Sequence, residues 1–188
     1  MRDISKILAA AICLSSPLAA ATGELEVTLG TAELDFESGG DDDAGRLAAA
    51  YLIPFEQEMI RFMAGGTISR STVDGSGYDA SYIDISATGK IEYKAGQFVP
   101  YGRMDVILYS NGDLEVDGGG DADLENSGYE IAGGVKYPVN PLLSFSLETA
   151  ILANKSFDIE GNNGQGSDEL DYDYGLFDSF NISMQYKM

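Results

Sequence analysis

Charged residues in this sequence recur at alternate positions, in stretches whose other positions are apolar, and that placement limits the chemistry open to them. Arg46, Arg61, Lys90, Arg103, Lys136 and Lys187, and Glu26, Asp84, Glu92, Asp105, Glu130 and Glu148, each stand out of phase with the apolar residues of their own stretch. Successive side chains of an extended chain point to opposite faces, so these charges fall on one face and the apolar residues on the other. A mixed-charge face shut away from water must pair its charges, because breaking a buried pair costs about 3–5 kcal/mol. The set Arg61, Asp84, Lys90, Arg103, Asp105, Glu130, Lys136 and Glu148 therefore reads as a charge network. It is either a structural plug of salt bridges or a gated path for ions and solutes.

A second cluster is acidic. SNGDLEVDGGGDADLEN (110–126) and GSDELDYDY (166–174) set carboxylates among glycines, the oxygen-rich composition that binds Ca2+. Neither matches the twelve-residue EF-hand loop or a full glycine-rich calcium repeat. Weak Ca2+ or Mg2+ binding is the cofactor reading these segments allow, and a solvated acidic surface is the alternative. Otherwise no cofactor is expected. The chain holds 31 acids and 11 bases and no histidine, which removes the commonest general base and every Ser-His-Asp arrangement. Adjacent carboxylates such as Asp168 and Glu169 are expected by chance at this acid content. No serine stands in a nucleophile elbow, so no catalytic site is expected.

The elements that carry these residues are strands. From Tyr129 every second residue is apolar or small (Tyr129, Ile131, Gly133, Val135, Tyr137, Val139), against Gly128, Glu130, Ala132, Gly134 and Lys136. After a turn at Pro138, Asn140 and Pro141 the pattern resumes as Leu143, Phe145, Leu147, Thr149 and Ile151. Similar stretches lie at 24–34, 46–55, from Ile60 to Ile68, 80–93, 98–109 and 177–188, which makes eight. Residues 46–66 have helix-forming composition, but Pro54 in their middle argues for a hairpin. The gaps between the eight run long, short, long, short, long, short, long. The four long gaps, 35–45, 70–79, 111–126 and 154–175, hold 19 acids and only Arg70 and Lys155 as bases. Short turns on one side, long loops on the other and an even strand count describe an antiparallel up-and-down transmembrane β-barrel. Tyr51, Tyr93, Tyr129, Tyr137 and Tyr186 would form aromatic belts at the edges of its apolar band.

Residues 1–21 read as a secretory signal peptide: Arg2 and Lys6, an apolar core, then Ala19, Ala20 and Ala21 before cleavage. Residues 22–188 then form one barrel domain. The only cysteine, Cys13, lies in the leader, so no disulfide framework is available. No stretch is apolar enough for a transmembrane helix. A net charge of -20 opposes binding to nucleic acid.

Three stretches resemble the small eight-stranded outer-membrane barrels of the OmpA-like and opacity-type porin superfamily. Val99-Pro100-Tyr101-Gly102-Arg103 looks like the family's "PYxG" start of strand five. Residues 128–147 look like its glycine-rich hairpin, and 179–188 resemble its closing strand, the signal read by the barrel-assembly machinery. The resemblance implies a Gram-negative outer-membrane location, with membrane lipid and lipopolysaccharide as surroundings and a surface partner of unstated kind. Met188 stands where the family usually ends in Phe. Without histidine, the lipid A deacylase activity of some relatives does not carry over, and no peptidoglycan-binding domain is expected after the last strand.

Three readings remain open: a plugged structural or surface-interaction barrel, a narrow channel, and a soluble lipocalin-like barrel with its faces inverted. The last would put Tyr129, Ile131, Val135 and Tyr137 inside and leave Glu130 and Lys136 wet.

Overall fold

The alternation continues further along each strand than composition alone indicates. The computed structural model describes residues 23–36, 41–57, 59–75, 77–94, 96–116, 121–161, 167–174 and 178–188. The expected signal peptide, 1–21, lies outside them. The strands are β1 (Glu24–Phe36), β2 (Asp41–Gln57), β3 (Ile60–Gly75), β4 (Tyr78–Tyr93), β5 (Val99–Val116), β6 (Asp121–Pro138), β7 (Leu143–Gly161), β8 (Ser167–Tyr174) and β9 (Ser179–Lys187). Each pairs antiparallel with the next from β1 to β8, and β9 closes the ring by pairing with both β7 and β1. β8 lies above β9 between the same two neighbours, so together they form the eighth stave of a closed barrel. Closure leaves no open sheet edge.

β2 and β3 form the expected hairpin, in register from Asp43 opposite Asp74 to Gln57 opposite Ile60. Pro54 is tolerated because β1 reaches only as far as Leu52, opposite Glu24, so below that point one side of β2 has no partner strand among the described residues.

The four long loops are a correction. Most of 35–45, 70–79, 111–126 and 154–175 is strand, and β3 turns into β4 with only residues 76 and 77 between them. Gly77, at φ 98°, supplies the left-handed conformation that such a tight hairpin turn requires. Aspartate, glycine and serine made these segments read as loops, yet their alternate residues carry an apolar face. Ala44, Val73, Ala80, Tyr82, Leu124, Ala153 and Phe157 are buried inside the barrel. Two bulges adjust the wall between the halves. β5 and β6 lose register between Val106 and Gly112. On β7 a shift beside Ile131 and Ala132 turns both Ile151 and Leu152 outward.

Where side chains are described, the staves are therefore polar inside and apolar outside near the chain ends, then apolar inside and polar outside beyond. The lower end is marked by Gly23 and Met188, where the Met188 N–H donates to the Gly23 carbonyl at 2.9 Å. On β4 the outward residues Ile83, Ile85, Ile91 and Tyr93 are exposed, whereas Asp79 replaces them at the top. Residues 83–93 span about 33 Å along a strand and about 25 Å of height once tilted, the thickness of a lipid hydrocarbon core. Val135 and Phe145 face outward while Glu130 and Lys136 are buried, so the inverted, lipocalin-like arrangement is not the one adopted.

One joint in the wall is tight enough to test. Tyr101 lies flat across Gly134 on the neighbouring strand, and a Cβ at Gly134 would come within 2.5 Å of both the Leu147 carbonyl oxygen and the Tyr101 ring. Because one obstacle is backbone, Gly134→Ala is expected to cost about 1–3 kcal/mol. The urea midpoint of the folded band on unboiled gels measures it, and an unchanged midpoint would refute the packing.

Candidate functional site in the barrel lumen

The lower lumen is crossed by a continuous ion-pair network built from six strands, β1, β3, β4, β5, β6 and β9. At the mouth, Glu24 accepts from Arg61 at 2.6 Å, with Lys187 at 3.8 Å and Lys136 at 3.9 Å. Glu92 pairs with Lys136 and lies 3.6 Å from Arg61. One layer further in, Glu26 accepts from Lys90 at 2.8 Å and from Arg103 at 2.6 Å. The Arg103 guanidinium also donates to Asp105 at 2.7 Å and to the Thr67 hydroxyl at 2.9 Å. Thr88 donates to the same Asp105 carboxylate. Lys90 sits 4.0 Å above the Tyr101 ring, a cation–π contact that adds to its ion pair. Burial this complete is tolerable only because nearly every charge has an opposite charge and further hydrogen bonds.

A second, smaller group lies above. Glu130 accepts from Arg46 at 3.3 Å and from Lys155 at 2.8 Å, and Asn126 donates to Asp84 at 3.1 Å. Over it sits the apolar cluster of Ala44, Val73, Ala80, Tyr82, Leu124 and Phe157, in which the Tyr82 and Phe157 rings meet edge to face at 5.1 Å. At the upper rim Tyr78 donates to Asp42; burial first, then that carboxylate, hold its phenol above the ordinary range.

Of the residues singled out from sequence, Arg61, Lys90, Arg103, Asp105, Glu130 and Lys136 join these networks. Asp84 and Glu148 are buried with them but have no ion pair among the described residues, which corrects their expected place in the network. Lys90 and Arg103 are engaged by Glu26, and Arg46 and Lys155 by Glu130, so no base is left at their positions. Glu148 accepts instead from Asn181 at 3.4 Å. Lys187 is also corrected: it has inward parity, yet its side chain is 46% exposed at the mouth. Sequence reasoning does not single out Glu24, although it is in phase with Glu26, or Lys155, which falls in the expected loop 154–175.

Tyr93, Tyr137 and Tyr186 are exposed on the outer wall, and Tyr51 is half-buried there. Tyr51 and Tyr186 flank Leu25 near the start of β1, and Tyr93 ends β4, so these belong to the lower end. Tyr129, opposite Val106, stands at the upper end with Tyr109, opposite Ile85. Among the described residues no group of three or more Asp, Glu, His or Cys is arranged to hold a metal ion. The side chains of 117–121 and 160–177, within the two glycine-rich acidic stretches, lie outside the described residues.

No family model matches the chain, and no curated protein matches it. Solved structures do. Neisserial surface protein A aligns with a TM-score of 0.54 at 14% identity, over 88% of this chain and 97% of its own. Ail, the attachment invasion locus protein of Yersinia pestis, aligns with a TM-score of 0.52 at 8% identity, over 89% and 99%. At those identities the likeness is one of fold. The closed antiparallel ring, the apolar outer band and these two neighbours together establish that this chain has the fold of the small eight-stranded outer-membrane β-barrels.

Proposed function

We propose that this chain is an integral barrel of a Gram-negative outer membrane, without catalytic activity, that holds its position by its apolar band and presents an acidic outer end to partners. The observation that carries the reading is the polarity inversion along the staves whose side chains are described. Charges paired inside the lipid-height half give way to an apolar interior and carboxylates outside in the upper half. The lumen is then sealed twice, by ion pairs below and by packed Tyr82, Leu124 and Phe157 above. Acidic outer strands suit divalent cations shared with lipopolysaccharide phosphates. Export by the leader and insertion by the barrel-assembly machinery complete the reading. Ail, a neighbour in fold, is named for attachment, and a surface-interaction role here is of that general kind.

Planar-bilayer recording tests the seal: no steady single-channel current is expected at modest voltage, and stable unitary steps would overturn the plugged reading. The narrow-channel alternative draws on one feature. Beside Asp84, Arg46 and Lys155 is a cavity of about 30 Å³, roomy enough for water, and the Asp84 Oδ1 atom that borders it has no hydrogen-bond partner among the described residues. Cell fractionation tests location, since recovery in the aqueous periplasmic fraction would eliminate the membrane reading.

A further inference from the structure

Among the described residues the outer wall carries one base in its upper half, Arg70, and its setting is specific. Leu29, Leu47, Arg70, Ile83 and Asn111 stand side by side in one outward row. The row above is Thr31, Gly45, Thr72, Ser81 and Asp113. The next is acidic: Glu33, Asp43, Asp74, Asp79 and Glu115. Arg70 thus belongs to the last apolar row and is about 13 Å along the strand from Asp74. The intervening row carries only Asp113 as a charge, at its far end, so Arg70 has no ion pair among the described residues despite the acidic surroundings.

Directly beneath Arg70 the wall is grooved. Leu25, Ala49, Tyr51, Gly66, Ile68 and Ile85 line an open apolar depression of about 270 Å³, hollow because Ala49 and Gly66 carry so little side chain. A guanidinium at the level where hydrocarbon ends, above an apolar trough at hydrocarbon height, is complementary to an amphiphile with an anionic head. A carboxylate row further out would repel that head unless it stayed at the level of Arg70. Guanidinium forks match phosphate oxygens in pairs.

We propose that Arg70 and this groove form a lipid site, with one acyl chain in the trough and a phosphate of lipid A on the guanidinium. Lipid A is the assigned source because, on the outer-membrane reading on which this inference rests, the upper edge of the band faces the leaflet that contains it. The test is native mass spectrometry of the full refolded chain, from micelles doped with bis-phosphorylated lipid A, with dephosphorylated lipid A, or with phosphatidylglycerol. Wild type is expected to retain phosphorylated lipid A. Arg70→Gln is expected to lose about tenfold or more, the scale of one charge-assisted hydrogen bond, and Arg70→Lys to recover part of it. Gly66→Val should fill the groove with little strain, since a Cβ there meets only the Ser86 carbonyl at 3.6 Å, and should lower retention in the same way. Equal retention by wild type and Arg70→Gln, or retention indifferent to the phosphates, would overturn the site. Equal Arg70-dependent retention of phosphatidylglycerol would overturn lipid A as its ligand. An unboiled gel confirms that each variant is a folded barrel, and fractionation judges the outer-membrane reading separately, so failure of one is not mistaken for failure of the other.

Discussion

Arg103→Ala is expected to lower the stability of the folded barrel by about 3–5 kcal/mol, the range for breaking a buried ion pair. Arg103 touches both Glu26, at 2.6 Å, and Asp105, at 2.7 Å. Neither carboxylate is stripped bare by its loss: Glu26 keeps Lys90, and Asp105 keeps the Thr88 hydroxyl. The penalty therefore comes from two half-satisfied charges plus the space the guanidinium filled. Arg103→Lys should restore less than half, because one ammonium cannot span two carboxylates and the Thr67 hydroxyl as a planar fork does. A double-mutant cycle between Arg103→Met and Asp105→Asn should give a coupling of about 0.5–3 kcal/mol. Urea unfolding of the detergent-solubilised barrel reads all of these, and additive losses in the cycle would show that the pair is not coupled. The upper apolar cap does not depend on Arg103, so Arg103→Ala should still pass no steady current.

The lower half of the barrel was legible because one rule decides it. In 80–93 the alternation of Ile83, Ile85 and Ile91 with Asp84, Lys90 and Glu92 fixes strand, face and neighbours together, and the structure adopts all three. The upper half obeys the same period with the faces exchanged, and there composition misled. Leu114, Leu124, Phe157 and Ile159 alternate as regularly as the lower residues, but their Asp, Gly and Asn neighbours carry loop preferences that hid the pattern. The partner of each charge was not legible at all. Sequence spacing places a residue on a face, whereas the stagger between strands decides what it meets across the lumen. Thus Glu26 pairs with Lys90 and Arg103, far from it in sequence, while Glu148 makes no ion pair among the described residues. Likewise nothing in the spacing indicated that Tyr101 would need Gly134 beside it, since that contact arises from register alone.

The largest effect is expected from Phe157→Asp, and it should be confined to the upper half. Phe157 is buried at the centre of the apolar cap, against Tyr82 and near Leu124. Phenylalanine truncation in a core already costs about 3–5 kcal/mol. An aspartate there adds a buried carboxylate among groups that cannot solvate it, a further cost of several kcal/mol per ion. Among the described residues no base stands within the cap to accept it; the inward ones below, Arg46 and Lys155, are already on Glu130. The cap should therefore open while the lower ion-pair layers, which share no side chain with it, hold the barrel in its membrane. The expected result is a variant that still migrates as a folded barrel on unboiled gels but whose upper strands are cut by external protease where wild type resists. Phe157→Leu, which keeps the site apolar, should remain protected and lose only about 1 kcal/mol. Steady current through Phe157→Asp combined with Arg103→Ala, absent from either alone, would show that the two layers seal the lumen independently. A Phe157→Asp variant as protease-resistant as wild type would mean that the upper interior is not a packed core.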